Sequence, residues 1–250
     1  VTLIFRYRYA LHLIIYTLGF FAPWNFAFHL DASGPNAHLW GILAVQLVRL
    51  GMANYLINTQ ILLVLAILFA LTGAILRTWG TAYVGAQVVA SSAMHTAETP
   101  AASSGLLQDG PYAHLRNPLY LGTFLHTCGL VLLMPLTGAV FTLALIGTLQ
   151  FALISGEEAY LTKTLGEPYR AYCALVPRLF PAFRAKTATQ GLIPHWPQSF
   201  LAETYFWAVT IAYVSAGWSY NALTLTKGVI IAFGLSILAR AFNPRSTPAQ

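Results

Sequence analysis

Two short stretches of this sequence gather a cation, paired carboxylates and aromatic hydroxyls. The first contains Gly110, Pro111 and Tyr112, then Arg116, Asn117, Pro118, Leu119, Tyr120, Leu121 and Gly122. Pro118 confines Asn117 to extended backbone and can open the next helix. The start of that helix presents free N–H groups suited to a carboxylate or phosphate. Arg116 beside it can grip the same anion with two hydrogen bonds. Tyr112 and Tyr120 add aromatic walls and hydroxyls. The same residues also suit a plainer role, with an arginine reaching to the membrane surface among tyrosines of an interfacial belt.

The second stretch holds Glu157, Glu158 and Leu161, then Gly166, Tyr169 and Tyr172, then Val176, Pro177 and Arg178. Adjacent carboxylates are costly if buried and cheap if solvated, so a solvated helix end is the bland alternative. In a pocket they can accept hydrogen bonds from ribose hydroxyls or pair with an ammonium group. Together the two stretches suit a zwitterionic, nucleoside-bearing ligand such as S-adenosylmethionine. Other nucleotides fit the same inventory.

What must position them is a membrane bundle. Of 250 residues, 57% are hydrophobic and 8% charged; roughly 25% is usual in soluble domains, so the fold class expected is all-α, a polytopic membrane helical bundle. Apolar runs at 9–30, 39–57, 60–76, 205–218 and 223–242, with a double run at 119–155, give about seven spans of roughly 20 residues. Pro135 and Gly138 lie near the middle of the double run, which predicts a helical hairpin turning near 134–137. A hairpin brings its two ends together, and those ends are the two polar stretches. The chain divides into N-terminal spans (1–58), a core (59–183), and a linker with two further spans (184–250), all in one membrane domain. The 80–118 segment is expected to be a loop with a short helix at most. The first apolar run is expected to be retained as a span, since the start lacks a small-residue processing site.

The net charge of +6 follows from Lys and Arg gathering in cytoplasmic loops. The basic residues are too scattered for a nucleic-acid surface. Lys163, Arg170, Arg178, Arg184 and Lys186 place the far end of the hairpin, and the pocket with it, on the cytoplasmic face. Counting back three full spans then puts Arg6 and Arg8 outside, against the positive-inside tendency. A 39–57 segment that only dips into the interface would remove that conflict; a full span is the reading adopted. Cys128 and Cys173 imply no disulfide framework, and the histidines show no metal-ligand spacing, so no metal is expected.

The motifs resemble the signature of the isoprenylcysteine carboxyl methyltransferase and phospholipid methyltransferase superfamily. The first is Gly110-x-Tyr112, three residues, Arg116-Asn117-Pro118, then x-Tyr120-x-Gly122. The second is Glu157-Glu158-x-x-Leu161, then Gly166-x-x-Tyr169-x-x-Tyr172, then a Val-x-Arg before a proline. The resemblance covers roughly 60–183. It implies an integral membrane enzyme that moves a methyl group from S-adenosylmethionine to a lipophilic acceptor, the carboxylate or amine of a lipid-like molecule arriving from the bilayer. Carried over by position, it implies cofactor contacts from Leu106, Leu107, Tyr112, Asn117, Pro118, Leu119, Tyr120 and Glu157. His95 is a further candidate contact from the preceding loop. Arg116 and Glu158 are the candidates for ordering the reacting methyl. Asn117 stands where carboxyl methyltransferases commonly have His, although Asn occurs in many bacterial relatives, so a bacterial inner membrane is the expected location. Leu153 stands where the eukaryotic prenylcysteine enzymes have an Arg suited to a substrate carboxylate. The alternative from another class is an NADPH-dependent reductase of the sterol reductase type. Glu157 and Glu158 argue against it by repelling that cofactor's phosphates. A channel or transporter usually carries ionisable groups mid-bilayer, and only Arg49 is a candidate for one here.

Overall fold

The computed structural model describes residues 2–22, 38–85, 89 and 106–241, and within them it is all-helical. The helices are α1 (Thr2–Arg6), α2 (Arg8–Phe21), α3 (Leu39–Arg49), α4 (Tyr55–Val84), α5 (Pro118–Leu130), α6 (Leu136–Leu165), α7 (Glu167–Leu175), α8 (Trp196–Ala202), α9 (Thr204–Ala216) and α10 (Ala222–Ala241). Three are long and apolar enough to cross a membrane: Tyr55–Val84, Leu136–Leu165 and Ala222–Ala239. Their outward faces carry large apolar side chains such as Val64, Phe151 and Ile231, the pattern of helices solvated by lipid rather than water.

The expected hairpin forms. A 3-10 turn (Val131–Leu133) ends α5, and Pro135 caps the start of α6. Pro135 has no N–H to continue a helix and its fixed φ suits a helix start, so the chain reverses there. The buried core of α5 packs most closely on α4, because both helices present small residues at their crossing. A Cβ added to Gly73 would stand 2.6 Å from the Gly122 carbonyl and 2.9 Å from His126 Cβ. Neither neighbour can retreat, as one is backbone and the other the root of a side chain. Gly73→Ala should therefore destabilise the protein by about 1–3 kcal/mol, read as a lowered unfolding midpoint in detergent; an unchanged midpoint would mean the two helices are not this close.

Two expectations about the spans are corrected. The 39–57 run is not one helix: α3 covers 11 residues, about 16 Å at 1.5 Å per residue, against roughly 30 Å of hydrocarbon. It is ended by a chain reversal through Gly51, at φ 75°, and Asn54 then caps α4 by accepting the Ile57 N–H at 3.0 Å. The Leu39 N–H donates to Met134 O at 2.8 Å, and the Trp40 indole N–H donates to Thr59 O at 3.0 Å. The start of α3 thus sits beside the hairpin turn and the first turns of α4, and its other end lies only a short loop before α4 begins. The second correction is that α4 does not stop at Arg77; it continues to Val84. The polar residues Arg77, Thr78 and Thr81 look by type like the end of a helix, but they point into its neighbours.

With α3 confined to one end, the direction of the chain changes. Arg8, at the start of α2, donates to Val89 O at 3.1 Å, just beyond the end of α4. At the other end of α2, Gly19 lies against Thr142 and Met134 at the hairpin turn. The N-terminus therefore lies at the same end of the bundle as the open end of the hairpin. The conflict over Arg6 and Arg8 disappears. Among the described residues only Arg49 and Lys227 fall in the half nearer the hairpin turn. Arg49 is exposed at the end of α3.

A candidate cofactor pocket at the open end of the hairpin

The open end of the hairpin encloses a cleft of about 700 Å³, part of it open to solvent. Its lining includes Leu106, Leu107, Tyr112, Arg116, Asn117, Pro118, Leu119, Tyr120, Glu157 and Glu158. Ten of the eleven candidate residues thus share one cleft; the eleventh, His95, lies outside the described residues. Val84, Leu161, Tyr169 and Tyr172 complete the walls. The two tyrosines carried a signal in the Gly166-x-x-Tyr-x-x-Tyr pattern. Val84 carried none, because the end of α4 was read as loop.

Pro118 opens α5, with Asn117 as its N-cap at φ −124°. The Asn117 side chain does not cap the helix. It reaches across the hairpin instead, donating to Glu158 Oε1 at 3.0 Å and to Arg178 O at 3.1 Å. The N–H groups of Leu119 and Tyr120 therefore lie in a first turn with no carbonyl partner within the helix. One turn on, the Tyr120 hydroxyl donates to Glu157 Oε2 at 2.6 Å. These two links tie the first motif to the second.

Glu158 sits between two guanidinium groups, 3.5 Å from Arg116 and 3.0 Å from Arg178. Arg178 also donates to Ser155 Oγ at 2.9 Å. Two cations and an amide around one carboxylate make it an organising centre: it holds Arg116 at the cleft wall and joins α6 to the segment after α7. Arg178 belongs to the second motif but is not among the residues the sequence marks as site candidates; spacing does not reveal its contact with Glu158. The buried Arg116 Nε finds no hydrogen-bond partner among the described residues, a donor in the wall of the cleft still able to serve a ligand. Burial pushes the Tyr112 hydroxyl well above its ordinary titration range, and nearby Glu157 adds to the effect. Burial also raises Tyr172, partly offset by Arg116, and the Tyr172 hydroxyl donates to Tyr112 O at 2.8 Å. Both phenols stay neutral at physiological pH and offer a wall without charge.

The segment after α7 straps the outer wall. Ala182 N–H donates to His114 O at 3.0 Å and Lys186 N–H to Ala113 O at 2.8 Å. Asp109 accepts the backbone N–H groups of Gln190 at 2.6 Å and Leu192 at 2.8 Å, and the Gln190 side chain donates to Leu106 O at 3.1 Å. The strap ends in a latch. Arg77 of α4 pairs bidentately with Glu203 at 2.7 and 3.0 Å. Thr81 donates to the same carboxylate at 2.7 Å. Arg77 Nη1 reaches Thr123 Oγ1 at 2.8 Å, and its guanidinium lies 4.4 Å from the Phe206 ring centroid. The linker and the two last apolar helices, whose role the sequence left open, are thus fastened to both the wall and the floor of the cleft.

Residues 61–168 match the model of the phospholipid methyltransferase family. That stretch, a little under half of the chain, is similar to the family. Its members are S-adenosylmethionine-dependent methyltransferases acting on lipid acceptors, and this chain is such a methyltransferase, an integral membrane protein with long apolar helices. No curated protein and no solved structure matches it. The NADPH reductase reading loses its support, since the matched family uses S-adenosylmethionine. The family match takes in both ends of the hairpin. It leaves out Tyr169, Tyr172, Arg178, the strap and Glu203, so this methyltransferase completes its cleft with residues beyond the matched core.

Proposed function

We propose that the cleft at the open end of the hairpin, on the cytoplasmic face, holds S-adenosylmethionine and presents it to a lipid-like acceptor entering from the bilayer. The observation that carries this reading is the joining of the two motifs through Asn117 to Glu158 and Tyr120 to Glu157 in one cleft. The residues fit the cofactor. The first turn of α5 and the unsatisfied Arg116 Nε suit its carboxylate. Glu157 suits its ribose hydroxyls or ammonium. Leu106, Leu107, Leu161 and Tyr112 suit the adenine. The family contributes the chemistry: an activated methyl group on a sulfonium.

The chain's own residues then have three tasks. Arg116, Asn117 and Glu158 hold the reacting region in one orientation, which can supply several kcal/mol when the reacting atoms are aligned. The apolar wall and the strap keep water out. A carboxylate acceptor needs no proton removed, whereas an amine must lose one to a nearby carboxylate. Leu153 is fully buried among Phe5, Ile15, Ile146 and Leu149, so α6 offers no cation one turn before Glu157, which favours an acceptor other than a prenylcysteine carboxylate.

The cytoplasmic assignment rests on the crowding of Lys and Arg at the cleft end. With α3 confined to the opposite side, the long apolar helices α4, α6 and α10 cross the bilayer within a single membrane domain of a bacterial inner membrane, and the start of α2 lies on the cleft side.

Methyl transfer from radiolabelled cofactor to total membrane lipids, followed by identification of the labelled species, tests the reading. Label is expected in an organic-soluble lipid carrying a carboxylate or amine. Label confined to protein or water-soluble material would overturn the acceptor class.

A further inference from the structure

The segment between Glu167 and Glu203 contains no acidic residue, yet carries Arg170, Arg178, Arg184 and Lys186. Several of its exposed side chains are large and apolar. Phe180 is 86% exposed, Phe183 is fully exposed and Ile193 is 80% exposed. Arg184 and Lys186 beside them are exposed too. A surface of this kind facing water would lose the apolar contribution of three large side chains for no gain.

Its height in the bundle is fixed by contacts. The Arg178 guanidinium lies 4.9 Å from the ring centroid of Phe151, and Phe151 is an exposed, lipid-facing residue of α6. Arg178 also bonds Ser155, one turn further along α6. The apolar stretch of α6 runs out at Ile154, so 178–186 lies where hydrocarbon gives way to headgroups. The strap bonds at Ala182 and Lys186 hold this segment rigidly against 113–114, beside the cleft.

We infer that residues 178–193 form an interfacial belt seated in the cytoplasmic leaflet, with Phe180, Phe183 and Ile193 in the acyl boundary and Arg184 and Lys186 binding the phosphates of anionic phospholipids. The alternation of aromatic and basic side chains is that of segments lying in the plane of the interface. Each basic side chain close to an anionic surface strengthens its attraction roughly fivefold, and the segment carries no carboxylate of its own to offset Arg184 and Lys186. The belt concentrates anionic lipid at the mouth of the cleft, whichever lipid is methylated.

The test uses the full chain with Cys128 and Cys173 replaced by Ser and a nitroxide placed at Phe183→Cys, reconstituted in vesicles of phosphatidylcholine mixed with phosphatidylglycerol. The label is expected to collide with oxygen more often than with a water-soluble nickel chelate; the reverse, as for a loop in water or a surface awaiting a protein partner, overturns the belt. Spin-labelled phosphatidylglycerol is expected to be retained at the protein several-fold more than spin-labelled phosphatidylcholine, with salt and the Arg184→Glu/Lys186→Glu pair each reducing the difference. Equal retention of the two lipids, or a preference untouched by that pair, overturns the anionic-lipid assignment. Neither readout involves methyl transfer, so failure here leaves the proposed function standing.

Discussion

Replacing Glu157 with Ala should abolish measurable binding of S-adenosylhomocysteine while leaving the fold intact. Glu157 is buried at the end of the cleft and accepts the Tyr120 hydroxyl at 2.6 Å. In the proposed complex the same carboxylate accepts hydrogen bonds from the ligand. Hydrogen bonds to a charged group are worth about 1.5–3 kcal/mol each. Losing two such bonds weakens binding by about 3 kcal/mol or more, at least a hundredfold. The Tyr120 hydroxyl, left without an acceptor at the wall, adds to the loss. Glu157→Gln keeps the shape and one acceptor, so it should bind more weakly than the native chain but better than Glu157→Ala. Calorimetric titration of the detergent-solubilised protein measures all three. Equal affinities for Glu157→Ala and the native chain would remove Glu157 from the site.

The second large effect is expected at the latch. Glu203 is almost completely buried, and Arg77 opposite it is mostly so. Glu203→Ala leaves a buried guanidinium without its carboxylate, a loss of about 3–5 kcal/mol for a buried pair broken on one side. The damage should also reach the cleft, because Arg77 supports Thr123 in the second turn of α5, the helix whose first turn forms the pocket floor. A lowered unfolding midpoint together with weakened binding of S-adenosylhomocysteine is the expected result. Removing both partners, as Arg77→Met with Glu203→Leu, leaves no unpaired charge and should recover much of the stability. If Glu203→Ala unfolds at the native midpoint, the latch contributes nothing. If the double variant is no better than the single, the pair is not a buried ion pair.

These two sites differ in how visible they were beforehand. The hairpin was legible because Pro135 interrupts a long apolar run, and a reversal there forces residues near 117 and 158 together. The motifs were legible because their residue types repeat a known spacing. The latch was not legible: Arg77 and Glu203 are 126 positions apart, and each reads locally as a charge at the edge of an apolar run. For the same reason α4 looks shorter than it is, since Arg77, Thr78 and Thr81 resemble the end of a helix until their partners Glu203 and Trp207 are known. The short α3 does carry a local signal. Gly51 and Asn54 form a stop followed by a helix cap, whereas hydropathy alone runs through both. With α3 this short, the start of α2 lies at the cleft end, and the described Lys and Arg residues other than Arg49 and Lys227 fall on that face.

The asymmetry has a physical reason. Helices in a bilayer must satisfy their own backbone, so apolar length predicts them well. Polar contacts between helices are set by pairings distant in sequence, which no local pattern records. Here such contacts do most of the positioning: Asn117 with Glu158, Tyr120 with Glu157, Asp109 with the strap, Arg77 with Glu203.

The most direct test of the account is photolabelling of the full chain in membranes with an azido-adenosyl derivative of the cofactor, followed by peptide mapping. Crosslinks to both the 106–120 and the 157–172 peptides, suppressed by excess S-adenosylhomocysteine, are the predicted result. Suppressible crosslinks confined to peptides from the opposite end of the bundle, such as 38–60, would contradict it.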